Sequence, residues 1–119
     1  MIQTADSAKS RRRHERSLMA LPVFFRPPGA QQPLEGTLRD IGRGGAFVSA
    51  GASVPLDVDV ILELLAPGAA TSMDVIGRVV WTGARGEQVG FGVEWRARDA
   101  GGSRRIRELV RRLTEPGSA

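Results

Sequence analysis

The stretch Asp40-Ile41-Gly42-Arg43-Gly44-Gly45-Ala46-Phe47-Val48 opens on a carboxylate, passes through three glycines in four residues and runs directly into an apolar strand. Glycines at 42, 44 and 45 suit a backbone that takes positive φ and comes close to whatever it faces. Asp40 is placed to cap that turn or to hold a ligand rich in hydrogen-bond donors. Upstream lies a dense basic run, Arg11-Arg12-Arg13-His14-Glu15-Arg16. The acidic turn and the basic segment are expected to form two walls of one anion site.

Outward from the turn the pattern is one of short strands. Leu21–Arg26 reads as a strand ended by Pro27, Pro28 and Gly29, and Glu35–Ile41 as a second, with Leu38 and Ile41 apolar against Glu35, Thr37 and Arg39. Ala46–Val48 is the third. Asp57–Leu65 sets Val58, Val60, Leu62 and Leu64 against Asp57, Asp59, Ile61 and Glu63, a period of two that marks a half-buried strand. Met73–Thr82 follows, with Val75, Val79 and Trp81 expected on one side. A hairpin connection over Gly83–Gly86 leads to Val89–Trp95, where Val89, Phe91, Val93 and Trp95 alternate with Gly90, Gly92 and Glu94. Trp81 and Trp95, both at alternating positions, are expected in the core. Six short strands with closely spaced turn signals predict a small antiparallel barrel or sandwich.

The last segment changes period. Ile106, Leu109, Val110 and Leu113 fall at i, i+3, i+4 and i+7, which predicts a helix over 103–114 docked by its apolar stripe. Ser103 is the expected N-cap, and Pro116 with Gly117 ends the element. The expected organisation is therefore a disordered tail over 1–10, a basic segment over 11–19, a β-barrel over 20–96, the helix over 103–114 and a tail over 115–119.

At 119 residues the chain is long enough for one domain with a single small core. It contains no cysteine, which excludes disulfides, zinc–thiolate sites and thiol catalysis. The net charge of +4 is unevenly spread: residues 1–19 carry +3, residues 20–95 carry −3, and residues 96–119 carry +4. Sixteen of the seventeen basic groups are arginine, the side chain suited to bidentate phosphate contacts and to stacking on planar rings. The acidic body speaks against a nucleic-acid-binding barrel, and nucleic acid is not expected as a partner. No run reaches the ~18 apolar residues of a membrane span. Leu18–Phe25 is short, lies behind basic residues and is followed at once by Arg26 and Pro27, so it does not read as a signal peptide. No membrane association is expected, and the chain reads as cytoplasmic. His14 is the only histidine, and no Ser-His-Asp set, metal-spaced cluster or paired-carboxylate motif is visible. No enzymatic activity, metal or cofactor is expected.

Arg12 and Arg16, four apart, can converge on one object. Two guanidiniums grip phosphate through charge-assisted bonds, meet the O6 and N7 edge of guanine, or stack on its ring. A carboxylate such as Asp40 suits the opposite, donor edge, and a glycine-rich turn offers backbone N–H groups to phosphate. These parts together suit an anionic guanine nucleotide. Arg43, inside the turn, can reach a phosphate or stand in solvent.

Taken in order, the parts resemble the PilZ domain family, whose signature is Arg-x-x-x-Arg, a strand or two, then Asp/Asn-x-Ser-x-x-Gly entering an apolar strand. Arg12 to Arg16 match the first half. Asp40 and Gly45 match the second, with Gly42 standing where the family has serine. The later strands Gly77–Trp81 and Gly90–Trp95, and a C-terminal helix, look similar too, so the resemblance spans roughly residues 11–113. It implies an all-β fold, a six-stranded antiparallel PilZ β-barrel with a C-terminal α-helix. It also implies a ligand, cyclic diguanylate (c-di-GMP). Arg12 and Arg16 would hold phosphate and guanine, Asp40 a guanine edge, and Gly45 would permit the turn. Arg11 would favour a stacked ligand dimer. With Gly42, Arg43 and Gly44 these make up the expected ligand-binding set. Replacing the serine by Gly42 removes a hydrogen bond worth about 1.5–3 kcal/mol, roughly tenfold to a hundredfold in affinity. The implied function is a second-messenger receptor that relays its signal to a protein partner. A ligand-independent interaction adaptor is the alternative that Gly42 raises.

Overall fold

The structure, a computed structural model, describes residues 16–114, with side chains from Leu18 onward. Six antiparallel strands close into a barrel: β1 (Arg16–Arg26), β2 (Leu34–Gly42), β3 (Gly45–Ser49), β4 (Asp59–Leu64), β5 (Met73–Arg85) and β6 (Gln88–Arg96), followed by helix α1 (Ala100–Thr114). The order around the barrel is β1-β2-β3-β6-β5-β4, and β1 closes it on β4 through pairs such as Val23 with Leu64 and Phe25 with Leu62. The all-β expectation and its terminal helix hold.

Alternation builds the interior. In β4, Val60, Leu62 and Leu64 are buried while Ile61 faces out. Val23 and Phe25 from β1, Ala46 and Val48 from β3, Val75 and Val79 from β5, and Phe91 and Val93 from β6 complete the filling. Phe25 and Phe91 meet edge-on with ring centroids 5.0 Å apart. Ile106, Leu109 and Val110 of α1 join the same core, with Leu113 partly buried against it, so the helix buries the stripe its period indicates.

Register shifts interrupt three strand pairings: β1–β2 between Leu18 and Leu21, β2–β3 and β5–β6. The β2–β3 register shifts between Leu38 and Asp40, which makes Arg39 an extra residue. Leu38 and Ile41, three apart, therefore both reach the core, and Asp40 between them faces outward. The β5–β6 register shifts between Val79 and Trp81 in the same way, leaving Val80 as the extra residue. Val79 is interior opposite Val93, and Trp81, opposite Gly92, is turned to the outer surface with 39% exposure. The expectation of a core Trp81 fails because one inserted residue flips every later side chain to the other face. Trp95 lies beyond no such shift relative to Val93 and packs against the core.

Other boundaries move as well. β1 begins at Arg16, ahead of the expected Leu21, and pairs with β2 through Arg16–Gly42, Ser17–Ile41 and Leu18–Asp40. β5 runs on to Arg85, so the β5–β6 turn is Gly86–Glu87 rather than the whole of 83–86. The helix starts at Ala100, and its first turn is capped by Asp99, whose Oδ1 accepts the Gly102 N–H at 2.8 Å. Ser103 lies inside the helix and is not the cap. The expected stop at Pro116 and Gly117 lies outside the described residues, as do Arg11 and Arg12. Among the described residues, no helix is long and apolar enough to cross a membrane.

Candidate functional site

The bulge at Arg39 creates the site. With Asp40 turned outward, the strand pairings set one row across the barrel wall: Leu18 on β1, Asp40 on β2, Phe47 on β3, Gly92 on β6 and Trp81 on β5. Phe47 is fully buried, yet it stands on the outer surface, apart from the core cluster. Gly92 has no side chain between its two neighbours, so the Phe47 and Trp81 rings meet across it at 5.6 Å. The outside of β3 and β6 thus carries an aromatic ledge with a carboxylate at one edge.

Arg85 covers that ledge. Its Cζ lies 4.5 Å from the centroid of the Phe47 ring. Its Nη1 donates to Oδ2 of Asp40. The hairpin that carries it passes through Gly83, whose φ of +144° lies in the region that favours glycine. Asp40, 2% exposed, is the one charged or polar residue buried among those described. Burying a carboxylate is unfavourable without charge-assisted partners, and Arg85 is one such partner. Arg85 has no place in the expected ligand-binding set. It is forty-five positions from Asp40, and its contact depends on where the hairpin ends.

Of the two features expected of the glycine turn, close approach is found at Gly45 and positive φ is not found. Arg43 and Gly44 connect β2 to β3, and Gly42, Gly44 and Gly45 are absent from the left-handed glycines, which are Gly29, Gly68, Gly83 and Gly86. The expectation of positive φ at the turn is therefore corrected. Gly45 is required by close approach instead: a Cβ there would fall 1.8 Å from the Val93 carbonyl oxygen. Trp95 fastens the turn from both ends. Its indole Nε1 donates to the Gly42 carbonyl at 2.8 Å, and its backbone N–H donates to the Gly44 carbonyl at 3.0 Å.

Of the remaining expected site residues, Arg16 begins β1 directly opposite Gly42. The register thereby joins the end of the basic segment to the end of the Asp40–Gly45 stretch. Arg43 is exposed and lines a cavity of 680 Å³ with Arg104, Arg107 and Arg111 of α1, a cavity whose lining does not include Asp40. Glu108, also at that cavity, is held below the usual carboxylate range by hydrogen bonds from Arg111 and then Arg112. Among the described residues, no group of three or more acidic or histidine side chains could hold a metal ion.

A closed six-stranded barrel with one terminal helix has counterparts among solved structures. The PilZ domain of CeSA from a cellulose-synthesizing bacterium is 20% identical, covers 82% of this chain and 96% of its own, and superposes with a TM-score of 0.65. The Bacillus subtilis inhibitor of motility MotI/DgrA is 19% identical over 87% of this chain and 51% of its own, with a TM-score of 0.62. Escherichia coli YcgR, solved in complex with c-di-GMP, is 15% identical over 87% of this chain and 46% of its own, with a TM-score of 0.60. The chain thus spans about half of each of the latter two. No curated protein sequence matches it significantly. The family model for the PilZ domain matches residues 10–112, and on that match, with the barrel and helix that accompany it, the chain belongs to the PilZ domain family.

Proposed function

We propose that this protein is a c-di-GMP receptor, a binding module rather than an enzyme, and that it passes the signal to a protein partner in the cytoplasm. The observation that carries the proposal is the register of β1 on β2, in which Arg16 faces Gly42 while Leu18 faces the outward carboxylate of Asp40. Arg16, the last residue of the first motif, is thereby paired with Gly42 of the second. The complex of YcgR with c-di-GMP supports the same ligand on the same fold. In this reading Arg12 and Arg16 bind phosphate and guanine, Asp40 accepts from the donor edge of a guanine, and the Gly42–Gly45 turn lies against the ligand. The surface of the liganded protein is what a partner recognises. Gly42 in the serine position favours a second reading, a ligand-independent adaptor.

Isothermal titration with c-di-GMP, using GTP as control, decides between them. The expected result is uptake selective for the dinucleotide, with Asp40→Ala weakening it roughly tenfold to a hundredfold through the loss of charged hydrogen bonds. Absence of heat and of ligand-induced NMR shifts at Gly44 and Gly45 would refute the receptor and leave the adaptor.

A further inference from the structure

The site contains an arginine outside the expected set, and its geometry is that of a stacking surface. Arg85 is held in two independent ways: by the Phe47 ring beneath its guanidinium at 4.5 Å, and by Asp40 at its edge. Phe47 is itself fixed, being fully buried and braced by Trp81 on the side away from Asp40. Yet the Arg85 side chain is 53% exposed. The cation lies over a ring beside the buried carboxylate, and about half of its side chain is open to solvent.

We propose that Arg85 contacts the ligand, stacking its guanidinium on a purine ring of the bound cyclic dinucleotide. This rests on the receptor reading above and extends its site to the β5–β6 hairpin. A guanidinium is planar, weakly hydrated and attracted to π faces, so a purine laid on it continues the stack that Phe47 begins. Because Phe47 and Asp40 already fix the orientation of the guanidinium, little side-chain freedom is lost when a base settles on it. A base in that position has its edge next to Asp40. Trp81, half-exposed beside Phe47, extends the same ledge. The opposite role, a cation that neutralises Asp40 and must leave before ligand enters, does not account for the Phe47 contact, which would hold Arg85 over the ledge after Asp40 had let it go.

The two roles predict opposite signs. Titration of c-di-GMP into the unaltered chain, Arg85→Ala and Arg85→Lys at one salt concentration separates them. Stacking predicts that both variants bind roughly tenfold or more weakly, because lysine keeps the charge but has no plane to offer. Arg85→Ala binding as tightly as the unaltered chain, or more tightly, overturns the proposal. So does full affinity in Arg85→Lys, which would make the contribution one of charge alone. Should Arg85→Ala fail to fold by its unfolding midpoint, Arg85→Lys carries the test, since it retains a cation beside Asp40. If the unaltered chain takes up no c-di-GMP, the receptor reading falls and this inference with it. If the unaltered chain binds and neither variant differs, the role of Arg85 alone is overturned.

Discussion

Replacing Gly45 by alanine tests whether this glycine is required by the packing of β3 on β6. A methyl at that position would lie 1.8 Å from the Val93 carbonyl oxygen, 2.9 Å from the Val93 carbonyl carbon and 3.2 Å from the Glu94 Cα. All three are backbone atoms of β6, so no side chain can rotate away. Relief requires moving β3 off β6 at the Gly45–Glu94 and Ala46–Val93 pairs, and with them the Trp95 N–H bond to Gly44. Overpacking costs about 1–3 kcal/mol, and each ladder hydrogen bond lost adds about 1 kcal/mol. The expected total is about 3 kcal/mol or more, a large share of the roughly 5–15 kcal/mol that holds a domain together. Urea unfolding followed by tryptophan fluorescence measures it. Gly92→Ala is the control, because a Cβ there meets nothing nearer than 3.7 Å and the cost should be small. A Gly45→Ala midpoint matching that of the unaltered chain, within about 0.5 kcal/mol, would show that β3 and β6 are not in contact as described.

Trp95→Phe removes the indole donor to the Gly42 carbonyl while keeping most of the packing. It should lower stability by about 1 kcal/mol and weaken c-di-GMP uptake by loosening the turn; unchanged values in both denaturation and titration would count against Trp95 as the turn's fastening. The Asp59–Arg78 pair, 2.8 Å apart across β4 and β5, gives a pH signature. The Asp59 carboxyl is held below its ordinary value of 3.8, chiefly by the hydrogen bond from Arg78. A depressed folded-state value contributes stability above the unfolded value, and that contribution is lost as pH falls through the folded one. Arg78→Ala should therefore melt lower than the unaltered chain near neutral pH, and the gap should narrow as pH falls below 3.8 and through the lowered folded-state value; a gap that does not narrow in acid would assign the effect to packing instead.

Much of the barrel is legible in the amino-acid sequence. The period-two pattern of Val60, Leu62 and Leu64 against Ile61 is reproduced in β4, and the Ile106, Leu109 and Val110 stripe is the buried face of α1. These patterns survive because burial acts on each side chain locally once the element exists. Asp40 was legible as the carboxylate that opens the glycine-rich turn, placed to cap it or to hold a donor-rich ligand. Its outward direction was not legible. It depends on the extra residue Arg39, and nothing in the local pattern marks a bulge, because the insertion is defined by the partner strand. Trp81 was misplaced on the same ground, since Val80 shifts the face only relative to β6.

Sequence alone determined the element types, their order, the apolar faces of β4 and α1, and the chemistry available near Asp40, because these follow from residue type and spacing. Tertiary structure decided the rest. It set Arg16 against Gly42, made Gly45 a point of close approach, and carried Arg85 over Phe47 to Asp40. Each of these is a contact between strands or across a turn, fixed by register and by where a hairpin ends. A shift of one residue would change the partner in every case, and register is set by the packing of the whole barrel rather than by any segment of it.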